Sequence, residues 1–312
     1  MISPPRALAC VILLVTPWAL AQDSVTPQIA AGSRLKPVRF LLTFDDGPYG
    51  QERDNPTERI LDSLAANSIQ NGIKAIFFVQ TRSSDGGATE RGRALMRREH
   101  AEGHMLALHD GSTWGHRSHR NVGDEALEKS LADGVADLVP ITGRRVNLLR
   151  PPYWAYDRRT VAAYQRHGLS LLLTDISAND GKDWGFKASP RRRSHMASEM
   201  ENVRKRLIRD ELPVVDGVIP VVVAFHDTNT FTAHHMNEYF EILLDAANAS
   251  GLVVDTEPFY MRFAELERAA LIRAHDVAHR ADMVPWWWRV IHWMFSASDT
   301  SRPATAITYN LP

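Results

Sequence analysis

Phe40-Leu41-Leu42-Thr43-Phe44-Asp45-Asp46-Gly47-Pro48 is the stretch whose reading decides the fold. Residues 40–44 form an apolar run of strand length that stops at two adjacent carboxylates and a Gly-Pro turn signal. Two acids side by side at the end of a core strand repel each other and are costly to desolvate. A bound cation is the simplest thing that stabilises them, with one acid on the metal and its neighbour left to handle a proton. The bland alternative is a solvated Asp-Gly turn. The rest of the chain decides between the two.

Working outward, the same pattern recurs. Further buried runs lie at 75–79, 105–108, 146–149, 169–174, 219–225 and 252–254. The segments between them read as helices. Asn55-Pro56-Thr57-Glu58 is a helix start, with Asn as cap and Pro at the first position. Asp124 and Asp157 read as further caps, and Gly103, Gly168 and Gly251 as helix stops. Leu127, Leu131, Val135 and Leu138 fall on one helical face, as do Met196, Met200, Val203 and Leu207. Alternating strands and amphipathic helices imply a parallel sheet. Seven such units predict an α/β fold, a distorted (β/α)7 barrel of TIM-barrel type, with an open doubly wound sheet as the fallback.

In parallel α/β folds chemistry gathers where the strands end, because the loops there surround one mouth. Asp45 and Asp46 follow the first strand, His109 the third, Arg150 the fourth, Asp175 the fifth and His226 the sixth. A single histidine there is usually a hydrogen-bonded loop residue. Five strands ending in ionisable residues point to a site. One Asp with two His suits zinc with open positions. Zinc lowers the pKa of its water to about 7 and polarises a carbonyl. A second carboxylate and a separate His supply base and acid. This is equipment for hydrolysing an amide or ester.

The 312 residues carry a formal net charge of −1, which makes no electrostatic case for nucleic acid or an anionic membrane as partner. Arg6, the apolar residues 7–20 and Ala19-Leu20-Ala21 read as a secretory signal over 1–21 cleaved near Ala21, so the expected location is secreted or periplasmic. Cys10 is the only cysteine, which removes thiol nucleophiles and Cys-based zinc sites from the mature chain. Residues 22–38 read as a linker, 39–262 as the catalytic domain and 263–312 as a helical, Trp-rich extension.

These residues resemble the polysaccharide deacetylases, the NodB-homology domain of carbohydrate esterase family 4. Thr43-Phe44-Asp45-Asp46-Gly47-Pro48 is similar to that family's first motif, Gly103–His109 to the approach to its second, and Arg150-Pro151-Pro152-Tyr153 to its third. Ala224-Phe225-His226 stands where its fifth belongs, with Ala224 in place of the usual leucine. The resemblance covers 40–254. It implies Asp45 as catalytic base, Asp46 and His109 as ligands of Zn2+ or another divalent metal, and Arg150 as the residue holding Asp45. It also implies the Tyr153 N–H as oxyanion donor, Pro151 in the substrate site, His226 as general acid and an acetylated polysaccharide as substrate.

The family's second histidine ligand stands four residues after the first, where this chain has Thr113. An insertion brings His116 into place as the expected ligand, with His119 the alternative. For the fourth motif, Asp180-Gly181-Lys182-Asp183-Trp184 has the family's letters, whereas Asp175 has the strand-end place. Asp175 is preferred for tuning Arg150 or His226, with Asp183 the alternative, and Trp184 is expected to line the acetyl pocket. Pro285-Trp286-Trp287-Trp288, with Trp293 and Phe295, reads as a packed extension, a glycan platform or a membrane-surface contact. The expected activity is N-deacetylation of amino sugars in a polymer. The alternatives are a non-catalytic carbohydrate-binding or scaffold protein, an esterase on O-acetylated polysaccharide, and a hydrolase of small cyclic amides.

Overall fold

The computed structural model describes residues 36–180 and 190–280, with side chains to residue 274. Eight strands occur there: β1 (Val38–Asp45), β2 (Ile76–Gln80), β3 (Met105–Asp110), β4 (Leu148–Leu149), β5 (Ser170–Leu171), β6 (Ile176–Ser177), β7 (Ile219–His226) and β8 (Val254–Phe259). All pair in parallel, in the order β5-β4-β3-β2-β1-β7-β6. The seven strands of this path curl into a half-barrel that is open between β5 and β6. β7 pairs with β1 along its whole length. The other edge of β1 is shared between β2 at Thr43–Asp45 and β8 at Val38 and Phe40.

The helices are α1 (Pro56–Ala65), α2 (Glu90–Ala101), α3 (Asp124–Thr142), α4 (Arg158–Arg166), α5 (Arg192–Ile208), α6 (Thr230–His234), α7 (Met236–Ala249) and α8 (Phe263–Arg280). The Asn55 side chain caps α1 by accepting from the Glu58 N–H, and Asp157 with Thr160 forms a capping box on α4. Asp124 is the first residue of α3, not its cap, which is Gly123.

Strand periodicity sorts the core into two faces. Phe40, Leu42 and Phe44 of β1, Phe77 and Val79 of β2, and Val221, Val223 and Phe225 of β7 pack outward with the surrounding helices. Leu41, Phe78, Ala107, Leu148, Leu172 and Val222 face inward. There they meet Leu266, Ala269, Ala270 and Ala274 of α8, whose small side chains suit the narrow bore of the curled sheet. The domain boundary expected after residue 262 therefore cuts through a core, because α8 packs on the inward face of the half-barrel.

Two other expectations need correcting. β1 begins at Val38, inside the stretch read as linker. The strand expected over 169–174 is two residues long, and Asp175 follows it without being its last pairing residue. The signal read over 1–21 and the Trp-rich tail both lie outside the described residues.

Candidate active site

The inward face of the half-barrel leads directly to the site. Along β1 the inward positions are Leu41, Thr43 and Asp45; along β3, Met105, Ala107 and His109; along β7, Val222, Ala224 and His226; and Leu148 is followed two residues on by Arg150. The period of two that lines the bore with apolar groups thus delivers the polar ones to a single mouth. β2 obeys the same rule through Ile76, Phe78 and Gln80. Gln80, which the sequence reading missed because it looked only for ionisable residues, donates to the Asp46 carbonyl at 3.3 Å and to its carboxylate at 3.4 Å.

The two adjacent acids part company at once. Asp45 ends the ladder and is buried, whereas Asp46 has φ +75° and turns out of the strand. The left-handed conformation costs on the order of 1 kcal/mol and is tolerated by Asp. Gly47 follows because a Cβ there would lie 2.0 Å from the carboxylate of buried Asp227. Burial pushes the Asp227 carboxyl up to about 7, against a hydrogen bond from Thr57 and with the help of the Asp46 charge.

Asp45 accepts a hydrogen bond from Arg150 Nη1 at 2.8 Å. The same nitrogen donates to Thr43 Oγ1 at 2.6 Å, and Arg150 Nε donates to the Leu172 carbonyl at 3.0 Å. The guanidinium is fully buried, 4.3 Å above the Phe78 ring. Its position is therefore set by β1, by the Leu172 carbonyl just beyond β5 and by an aromatic face on β2.

Asp46 Oδ1, His109 Nε2 and His116 Nε2 stand 3.1 Å from one another. Burial resists charge on Asp46, but hydrogen bonds from His109 and His116 more than offset it and hold the carboxyl well below its ordinary range. Burial likewise opposes charge on His109, and Asp46 outweighs it and raises the imidazole.

These donors fit a metal on two counts. Atoms bound at about 2.0–2.1 Å around a tetrahedral centre lie about 3.3 Å apart, close to the spacing seen. His109 Nδ1 is 2.7 Å from the Arg150 carbonyl, which can only accept, so Nδ1 carries a proton and, whenever the ring is neutral, its Nε2 lone pair faces Asp46. Acceptor then faces acceptor, an arrangement that a cation or an extra proton stabilises. Among the described residues this is the one group of three or more His, Cys, Asp or Glu able to share an ion.

The inserted loop brings His116 to this point, as expected, and its ring lies 4.4 Å from that of Tyr153. His119, the alternative ligand, is elsewhere: fully buried, with Nδ1 2.9 Å from the Tyr164 hydroxyl. Tyr153, with φ +62°, and Trp154, with φ +51°, form a strained turn after buried Pro151 and Pro152, and Tyr153 is 45% exposed. The Trp154 ring stands edge-on to His226 at 6.4 Å.

His226 corrects the reading of the fourth motif. Its Nδ1 is 2.7 Å from Asp180 Oδ1, and its backbone N–H donates to Asp180 Oδ2 at 2.9 Å. Thr232 and Asn229 donate to the same Asp180. Burial alone would depress the His226 pKa; the Asp180 carboxylate reverses this and lifts it to about 10. Asp175 does not touch His226, but its negative charge favours the charged form of Arg150, the other group it was expected to tune. Asp175 accepts from Arg206, Arg273 and the Val222 N–H. Asp183 and Trp184 lie outside the described residues.

A family model described as polysaccharide deacetylase matches residues 33–172. A chitin deacetylase of Pestalotiopsis sp is 27% identical over 144 residues, 46% of this chain; the matched stretch spans 44% of that relative's length. Among solved structures, the chitin deacetylase from the fungal pathogen Colletotrichum lindemuthianum superposes with a TM-score of 0.50 at 20% identity, covering 73% of this chain and 94% of the other, which shows the shared fold. A family 4 carbohydrate esterase from Streptomyces lividans, solved with acetate, gives a TM-score of 0.48 at 20% identity over 71% of this chain and 93% of the other.

Proposed function

Because a polysaccharide deacetylase family model matches residues 33–172, we propose that the chain is a metal-dependent hydrolase that removes N-acetyl groups from the amino sugars of a polysaccharide. The observation that carries this reading is the convergence of Asp46, His109 and His116 beside an Asp45 fixed by Arg150. The three donors would hold a divalent cation, zinc by their chemistry. When bound, it would polarise the acetyl carbonyl and acidify water.

The chain's own residues do the rest. Asp45, oriented by Arg150, accepts the proton of the attacking water. The Tyr153 backbone N–H is assigned to the developing oxyanion. His226 protonates the departing amine. Asp180 takes Nδ1, so the proton for the substrate sits on Nε2, and the raised pKa keeps the ring charged at neutral pH. A divalent ion held by the three donors would work in the opposite direction and bring the acid closer to its working range. Pro151 is assigned to the substrate site. Export is part of this reading and rests on Arg6, the apolar residues 7–20 and Ala19-Leu20-Ala21.

The test is acetate release from a chito-oligosaccharide by the full chain supplied with Zn2+. Asp45→Asn and His226→Ala should each slow release by about 100-fold or more while leaving the circular dichroism spectrum unchanged. Folded variants that match the parent rate would refute the proposal.

A further inference from the structure

The two histidines at the candidate metal centre are held in different ways. His109 ends a strand and is locked through Arg150. His116 lies seven residues later, in a segment with no helix or strand of its own. Upstream that segment is pinned by Asp110, which accepts from the Ser112 N–H and hydroxyl and from Ser130. On its outer side the Tyr153 hydroxyl donates to the His116 carbonyl at 3.2 Å, but Tyr153 is exposed and a weak clamp.

The downstream pin is a different kind of contact. His119 opens a 3-10 turn, His119–Asn121, and is completely buried. Its Nδ1 meets the buried Tyr164 hydroxyl of α4 at 2.9 Å. Arg159, also on α4, donates to the His119 carbonyl at 2.8 Å and to the Arg120 carbonyl at 3.3 Å, and pairs with Asp124 at the start of α3 at 2.6 Å. His119 Nε2 has no partner among the described residues. A purely apolar filler would avoid the cost of burying that nitrogen. Retaining an imidazole there makes sense if its bond to Tyr164 fixes the segment. Burial pushes the His119 pKa down to about 4, so the ring is neutral at ordinary pH.

We propose that His119, Tyr164 and Arg159 are positioning residues for the His116 ligand: they tie the inserted segment to α4 and so set the affinity of the centre for its metal. This rests on the metal-dependent reading above. It assigns the second histidine of the pair a definite task, in place of the ligand role it does not fill. The ordering cost of a long loop is met in the folded protein by these contacts and not by metal binding.

The experiment measures Zn2+ dissociation constants for the full chain by competition with a chelating dye, together with the visible spectrum of the Co2+-loaded protein. The variants are Tyr164→Phe, which removes one hydroxyl, His119→Phe, and Arg159→Leu, which changes a partly exposed side chain and keeps a folded variant in the series. Each should weaken Zn2+ binding about 10- to 100-fold and alter the Co2+ bands. Tyr164→Phe should have no added effect in the His119→Phe background. A merely structural pin would lower the melting temperature and leave dissociation constant and spectrum alone; that outcome, with folded variants within twofold of a metal-binding parent, overturns the proposal. A parent that binds no Zn2+ overturns the metal-dependent reading itself, and this inference with it.

Discussion

Asp175 and Asp180 stand five residues apart, and both are buried carboxylates, yet they belong to different parts of the machine. Asp175 sits at the seam where the half-barrel is open. Its N–H donates to the Val222 carbonyl at 2.9 Å and its Oδ2 accepts from the Val222 N–H at 2.8 Å, so one residue stands in for a rung of sheet pairing. Its Oδ1 is held by Arg206 of α5 at 2.5 Å and by Arg273 of α8 at 2.6 Å. Asp180 sits at the mouth and holds His226 by ring and by backbone. A buried acid is thus defined by what it accepts from: arginines and a strand edge in one case, a histidine facing the site in the other.

That contrast is open to attack. The largest effect is expected from Asp180→Asn, which should cut kcat/KM for acetate release by about 100- to 10,000-fold with little loss of stability. The alkaline limb of its pH profile supplies the sign. Asp180 raises the His226 pKa from its ordinary 6.5, so the protonated acid persists as pH rises until the raised value is passed. Without that carboxylate, burial is opposed only by the charges of Asp46 and Asp45, so the pKa drops and the residual activity should fall away at lower pH than in the parent. A limb that does not move would separate Asp180 from His226.

Asp175→Asn should show the reverse. Removing one partner of a buried charge cluster costs about 3–5 kcal/mol. Urea unfolding should register that loss, with kcat/KM of the folded fraction within a few-fold of the parent. A large activity loss at unchanged stability would restore the sequence-based assignment of Asp175 to tuning the catalytic groups, Arg150 or His226. The smallest effect belongs to Thr232→Val, which removes a hydroxyl donating to Asp180 at 2.6 Å. It should lower the alkaline limb slightly and activity by less than about tenfold, corresponding to a hydrogen bond of about 1 kcal/mol.

Much of this was legible in the residues. Apolar runs marked β1, β2, β3 and β7, and Asn55, Asp157, Gly103, Gly168 and Gly251 punctuated the helices as expected. The convergence of Asp45, Asp46, His109, Arg150 and His226 was legible because strand ends in a parallel sheet face one mouth. Asp180 was misjudged because the end of an apolar run is not the end of a ladder: β5 stops at Leu171, and a further short strand, β6, lies beyond Asp175. Gln80 was missed because an amide carries no charge, although its parity with Ile76 and Phe78 marked it as inward. α8 was read as part of an extension because it lies beyond the stretch that carries the resemblance; its small residues nonetheless share a core with the inward face of the sheet.

The most direct test of the central claim is the metal content of the purified chain beside that of His116→Ala. About one zinc per chain in the parent and almost none in the variant is the predicted result. Metal absent from the parent, or retained at full stoichiometry when His116 is gone, would contradict a centre built from Asp46, His109 and His116.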